Sequence, residues 1–431
     1  MESVQQVAVF IIALGFLFVA WQTAVWDSHR WQCVVTPFAV AMVPFGVVAV
    51  ITILVAPLFG FVQVSPAIFL VWSAGGGVLL LSSLVARKLI PASSPHFGPQ
   101  GRLDLDSVIV LARVTAAFAG VVSIVKMIWL LGNLGALAAL ADEQTQQEFG
   151  GGVAGHIQAF AYPAVAILVA RGARMRVLDV LCVALGALGG IVYQVKYTLL
   201  MPITAGAILG ILSGNIRLSV RIVCYWIAGG IALFMVVYLL GFALLRSDAI
   251  VSEDTYLFLG RHVVAYLTAG ILSLSEALRA GSQQFLGATG TMTLPFQNLF
   301  AVLVGEHVVG LDDAVRFTFQ ISQDGTRENV FTLFGVLYLY LGACGMMAYT
   351  FILGLVAYAI LSISRRSRSP WIACAAALLL AFLSFGWFHF FFWLLTPIEV
   401  VVVTFTLAAL WEVGNALRMW FASLPQPRLH Q

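Results

Sequence analysis

Residues 37–61 read PFAVAMVPFGVVAVITILVAPLFGF, twenty-five positions without one Asp, Glu, Lys or Arg. A helix needs about 20 apolar residues to cross the ~30 Å hydrocarbon core of a bilayer. Pro44 and Gly46 lie inside this run, and membrane helices tolerate both residue types. Reading outward from it, comparable stretches cover 4–25, 67–85, 107–131, 153–170, 177–194, 197–212, 222–245, 330–361, 371–393 and 398–417. The first is not a cleavable signal, because no basic segment precedes it and no small-residue cleavage site follows. The expectation is an all-α polytopic membrane bundle of about eleven transmembrane helices.

Composition agrees. Of 431 residues, 61% are hydrophobic and only 10% charged, and the mean hydropathy is +1.00. A soluble domain carries about 25% charged residues. A soluble enzyme, a disordered protein and a nucleic-acid binder are therefore excluded. The net charge of +3 also gives no basic field for a polyanion. Cys33, Cys182, Cys224, Cys344 and Cys374 mostly sit in apolar runs. They read as small buried hydrophobes, not as a disulfide framework or a metal cluster.

Lys and Arg in short connections set orientation. Arg87, Lys88 and Arg102 share one connection, and Arg171, Arg174 and Arg176 another. Arg217 and Arg221 share a third, and Arg365, Arg366 and Arg368 a fourth. With eleven spans all of these fall on one side, the cytoplasmic one, and Asp142, Glu143 and Glu148 fall opposite. The N-terminus is then outside, and 418–431 form a cytoplasmic tail. The chain divides into spans one to eight over 1–245, a large outer loop over 246–329, and spans nine to eleven over 330–417.

Long ordered loops on a rigid scaffold usually carry function. Within this loop, 256–278 is an apolar stretch bracketed by Arg261 and Arg279, eighteen residues apart. That is about five turns, so an unbroken helix puts both arginines, with Thr268 and Ser275, on one stripe. Gly270 is the position where the helix would break. Glu276 stands three residues before Arg279, at ion-pair spacing. A second segment, 296–309, reads as an amphipathic helix at the membrane surface. The alternative is a structural cap over the bundle.

The outward basic residues are Lys196, Arg246, Arg261, Arg279 and Arg327. Arg grips phosphate through two parallel hydrogen bonds, and Lys acts as a point charge, so their convergence suits a diphosphate. Each could instead snorkel to headgroups or pair with a nearby acid. Snorkelling equally accounts for Lys126 and Arg113, and packing for His156 and His389. The Asp104-Leu105-Asp106 pair reads as a helix N-cap, not as a metal site. No metal and no cofactor is expected.

Residues 329–355 read NVFTLFGVLYLYLGACGMMAYTFILGL. This resembles a signature of the bacterial oligosaccharide repeat-unit polymerases, the O-antigen polymerase family, through Asn329, Thr332, Gly342 and Gly345. Leu341 stands where that family often has an acid. The segment from Tyr266 to Glu276 is similar to the family's loop segment, and the topology is similar over nearly the full length. The resemblance implies a metal-independent membrane glycosyltransferase of the bacterial inner membrane. It would join undecaprenyl-diphosphate-linked repeat units on the periplasmic face, in lipopolysaccharide biosynthesis. It also implies the lipid-linked oligosaccharide, the bilayer and a chain-length regulator protein as partners, and no nucleic acid. Cations would stabilise the diphosphate leaving group. Glu276, or else His262, would serve as general base beside Arg261 and Arg279. Lys196, Arg246, Tyr266, Arg327 and Asn329 would bind diphosphate or sugar. The rival readings are the O-antigen ligase and, with fewer features in favour, a flippase or transporter, which usually shows internal repeats.

Overall fold

The computed structural model describes residues 2–90, 103–134, 152–192, 196–219, 221–226, 228–230, 232, 235–236, 253–281, 289–305, 318–328, 330–367 and 369–423. Helices dominate: α1 (Glu2–Trp31), α2 (Pro37–Val55), α3 (Ala67–Leu89), α4 (Ile109–Leu134), α5 (Gly152–Gln158), α6 (Ala161–Val169) and α7 (Val177–Val192). They continue with α8 (Lys196–Leu212), α9 (Glu253–Ala280), α10 (Leu294–Val304), α11 (Leu333–Arg366), α12 (Pro370–Ser384) and α13 (Leu395–Ser423). Strands β1 (Phe319–Gln320) and β2 (Arg327–Glu328) pair antiparallel as a small hairpin.

Among the described residues, eight helical stretches are long and apolar enough to cross a membrane, and three shorter apolar helices accompany them. The protein is an all-α, multi-pass membrane protein. Seven of the eight match expected spans, the three shorter helices match three more, and most of the expected span 222–245 lies outside the described residues. The eighth long stretch, Leu259–Ala280, belongs to α9, in the segment expected to be loop.

Three expected spans differ in detail. The stretch 153–170 is two helices interrupted at residues 159–160. The stretch 371–393 is α-helical only to Ser384, and the aromatic run 385–394, with one 3-10 turn at Phe391–Trp393, turns back into the protein with Phe390, Phe391 and Trp393 buried. The third, α11, contains a break at Gly342 (φ 70°, ψ −178°), a region of backbone space open essentially to glycine alone.

The bundle has two chemically different ends. At one, the β1–β2 hairpin docks on the connection between α2 and α3. Val62 N–H donates to the Ile321 carbonyl at 2.9 Å, and Gln323 N–H to the Gly60 carbonyl at 3.0 Å. At the other, Arg87 sits 5.6 Å from the centre of the Trp31 ring, and Arg365 donates to the Trp31 carbonyl. Trp411, sixteen residues down α13 from its first residue at the hairpin end, donates to the Ser107 carbonyl at 3.4 Å. The start of α4 therefore also belongs to this arginine-rich end.

A buried network fixes α1, α2, α3 and α11 at the arginine end. Ser83 Oγ donates to Asp27 Oδ1 at 2.5 Å, and Tyr358 O–H donates to Asp27 Oδ2 at 2.6 Å. Trp31 Nε1 donates to Ser83 Oγ at 2.8 Å, and Phe38 N–H to the Tyr358 oxygen at 3.2 Å. Asp27, Ser83 and Tyr358 are fully buried, and the two hydroxyls, each accepting one hydrogen bond, pass the chain on to a single end point, the Asp27 carboxylate. Away from water an unmatched polar group is costly, which makes the network an all-or-none latch. Tyr358→Phe should lower stability in detergent by about 1 kcal/mol. Asp27→Leu, which strands two hydroxyls, should cost about 2–3 kcal/mol. Thermal melting of purified protein reads both, and wild-type melting of both variants would dismiss the latch.

Candidate functional site

The helix α9 forms the site, and it is continuous across Gly270. Arg261 and Arg279 are about 27 Å apart along its axis at 1.5 Å per residue. Both nevertheless reach the α2–α3 connection, so α9 lies across the hairpin end and does not run through the bundle. Arg261 sits 5.6 Å from the centre of the Phe61 ring, and its Nη2 lies 2.6 Å from Asp324 Oδ2 in the hairpin. Arg279 donates to the Gln63 carbonyl and pairs with Glu276. Between them, Ser275 Oγ accepts from Ser65 N–H at 3.1 Å, and Thr268 is buried on the same stripe.

The opposite face of α9 rests on the aromatic turn. Tyr266 stacks on Phe388 with ring centres 5.9 Å apart and planes at 17°, and His262 lies 5.6 Å from Tyr266. A Cβ at Gly270 would stand 2.4 Å from the Phe388 carbonyl oxygen, so only glycine admits this approach. Residues 268–275 are consequently buried on every face. A helix hydrophobic all round belongs inside a protein, and here it is wedged between the 60–65 connection and the 386–388 turn.

Thr332, one of the signature residues, has two tasks in the structure. Its Oγ1 caps α11 by accepting from Gly335 N–H at 3.2 Å, and it also accepts from Trp72 Nε1 at 3.0 Å. Gly342 supplies the break in α11, and a Cβ at Gly345 would crowd Leu341.

The chain belongs to a family of unknown function (DUF6337). Its model matches residues 60–416. No curated protein and no solved structure matches the chain. The match begins at the connection that α9 grips, and it encloses α9, the hairpin, the aromatic turn and the α11 break. All of α1 and α2 precedes it.

Of the expected site residues, Arg261, His262, Tyr266, Glu276 and Arg279 all lie on α9, the arginines on the face toward the α2–α3 connection and Tyr266 on the face toward the aromatic turn, and Arg327 is exposed in β2 of the docked hairpin. Lys196 begins α8, while Arg246 and Asn329 lie outside the described residues. The two guanidinium groups reach residues two positions apart, Arg261 the Phe61 ring and Arg279 the Gln63 carbonyl. Each group has five N–H donors, and the contacts above use one on Arg261 and two on Arg279. Both side chains are partly exposed, which leaves donors for a ligand oxygen.

Sequence spacing finds the Glu276–Arg279 pair but misses every pairing between distant segments. Arg261 finds Asp324, and His156 Nδ1 lies 2.6 Å from Glu399 Oε1. At the arginine end, Arg113 does not snorkel but pairs with buried Asp179 at 2.7 Å, and Arg171 bridges Asp179 to Asp106. The side chain of Asp104 caps a turn by accepting from Asp106 N–H at 3.0 Å, while Asp106 serves Arg171.

Hydrogen bonds from Ser322 and Thr326, helped by Arg261, hold the Asp324 carboxyl down to about 2. A carboxyl depressed in the folded state stabilises fully above its unfolded value of about 4, and that stabilisation is lost as pH falls through the folded value. Hydrogen exchange over 319–328 should therefore stay slow at pH 5, and Asp324→Asn should accelerate it there. Equal protection in the variant would remove this anchor. At Gly270, substitution by Ala should cost about 1–3 kcal/mol by pushing α9 off the aromatic turn, read as a lowered melting temperature.

Proposed function

We propose that the protein is a membrane glycosyltransferase that polymerises undecaprenyl-diphosphate-linked oligosaccharide repeat units on the periplasmic face of a bacterial inner membrane. In this reading the chain crosses eleven times with its N-terminus outside, and 246–329 form the periplasmic catalytic region. The observation that carries the reading is the delivery of Arg261 and Arg279, from one stripe of α9, to neighbouring positions on the α2–α3 connection. That end lies opposite the arginine-rich connections, as a periplasmic site requires. The resemblance of the 329–355 segment to O-antigen polymerases supports the same class.

The chemistry follows from the pairing. The growing chain on its lipid diphosphate is the donor, and a hydroxyl of the incoming lipid-linked unit attacks its anomeric carbon. The bond from that carbon to the diphosphate oxygen breaks, and guanidinium groups neutralise the charge that develops on the leaving group. In the resting protein these groups are balanced by Asp324 and Glu276. A diphosphate oxygen arriving on Arg279 displaces Glu276, which is then free to take the acceptor proton, and His262, about four turns back along the same helix, is the second candidate for an acceptor held near Arg261. The Tyr266–Phe388 stack offers an aromatic face for a sugar ring, and Lys196, Arg246, Arg327 and Asn329 complete the binding region in this proposal. A chain-length regulator would act on the growing product.

Arg261→Ala and Arg279→Ala should each lower polymer formation about a hundredfold or more, with membrane insertion unchanged. Arg→Lys at either site should recover part of it, because charge returns without the two-pronged grip. Long-chain polymer at wild-type level in both alanine variants would end the proposal. Deletion of the gene should leave single repeat units on the lipid core, whereas bare core would favour an O-antigen ligase.

A further inference from the structure

The arginine end holds a cavity of about 170 Å3 lined by Leu103, Asp104, Leu105, Asp106, Arg171, Arg174 and Asn215. One water needs only ~10–15 Å3, so the cavity admits a small polar group. Three connections build it: the strand of chain leading into α4, the turn between α6 and α7, and the residues after α8. It is remote from α9 and independent of the reading of that site.

Its wall is already half committed. The Arg171 side chain is 8% exposed, with Nη1 on Asp179 and Nη2 on Asp106 at 2.9 Å. Its Nε is buried and has no hydrogen-bond partner among the described residues. Beside it, Arg174 has no ion-pair partner among the described residues and is exposed. Asp104 accepts one backbone hydrogen bond, and the Asp106 side chain is 62% exposed. The lining thus brings together spare donors, on Arg171 Nε and Arg174, and spare carboxylate lone pairs, on Asp104 and Asp106. The formal charges of Arg171 and Arg174 cancel those of Asp104 and Asp106. A lone anion would meet two carboxylates, and a lone cation two guanidinium groups. A zwitterion answers both.

We infer that this cavity binds a phosphate–ammonium zwitterion of the phosphoethanolamine type. The phosphate accepts from Arg171 Nε and Arg174, and the ammonium donates to Asp104 and Asp106. The position at helix termini, where headgroups lie, makes a bilayer aminophospholipid its source. Choline would present no N–H to the carboxylates, and phosphatidylglycerol no cation.

Full-length protein in nanodiscs of phosphatidylethanolamine, phosphatidylcholine or phosphatidylglycerol tests this through melting temperature and native mass spectrometry of retained lipid. Phosphatidylethanolamine should be retained and protective above the other two. Asp104→Asn and Arg174→Ala, both at exposed positions that folding tolerates, should each weaken its retention about tenfold. Glycerophosphoethanolamine added to lipid-free micelles separates the sources. Protection only at far higher concentration marks the lipid, and protection at equal potency marks a soluble zwitterion. Equal retention of all three lipids, or a preference that survives both substitutions together, would overturn the inference.

Discussion

The contact on which the hairpin end depends is the seating of α9 against the 386–388 turn. Without a side chain at Gly270, the helix backbone comes close to two carbonyls of that turn. The turn in turn holds the start of α11, because the Gly386 carbonyl accepts from Leu333 N–H at 2.6 Å. Thr332 and Trp72 extend the same contact to α3. In a bilayer, irregular backbone survives only where protein covers it. The 385–394 run is such a segment, and α9 is part of its cover. One helix thereby both closes the end of the bundle and presents the arginines.

The arginines reach their places for a related reason. A helix lying across a bundle end touches several connections at once, and a period of eighteen residues returns to the same face after five turns. Arg261 and Arg279 therefore stay in register with the α2–α3 connection although they sit near opposite ends of the buried stretch. Their acidic partners come from different sources. Glu276 is local, three residues away, whereas Asp324 arrives on a hairpin that is itself docked on the same connection. Charge balance at this end is thus built from one short-range and one long-range pair.

The apolar runs were legible because hydrocarbon thickness dictates a length, and hydropathy reports it directly. The stripe on α9 was legible because helical periodicity is local. What the sequence hid lies in contacts without a period. Little in the 385–394 run distinguishes a helix end from a helix middle, since nine of its ten residues are apolar or glycine and the contact with α9 comes from a distant segment. Nor does the composition of 256–278 say that the helix is wedged between two connections and not laid on a surface. Arg113 in an apolar run looked like a headgroup-seeking side chain, because its partner Asp179 is sixty-six residues away. The Asp27 network draws on α1, α2, α3 and α11, and no one of those segments carries a mark of it.

The break at Gly342 has a mechanical consequence. Upstream of it, the first turns of α11 are moored to Trp72 and Gly386. Downstream, Tyr358 bolts the rest to Asp27. A continuous rod would transmit torque from one mooring to the other. The break at Gly342 divides the helix into two segments, so each end of the molecule anchors its own length of α11 through its own contacts.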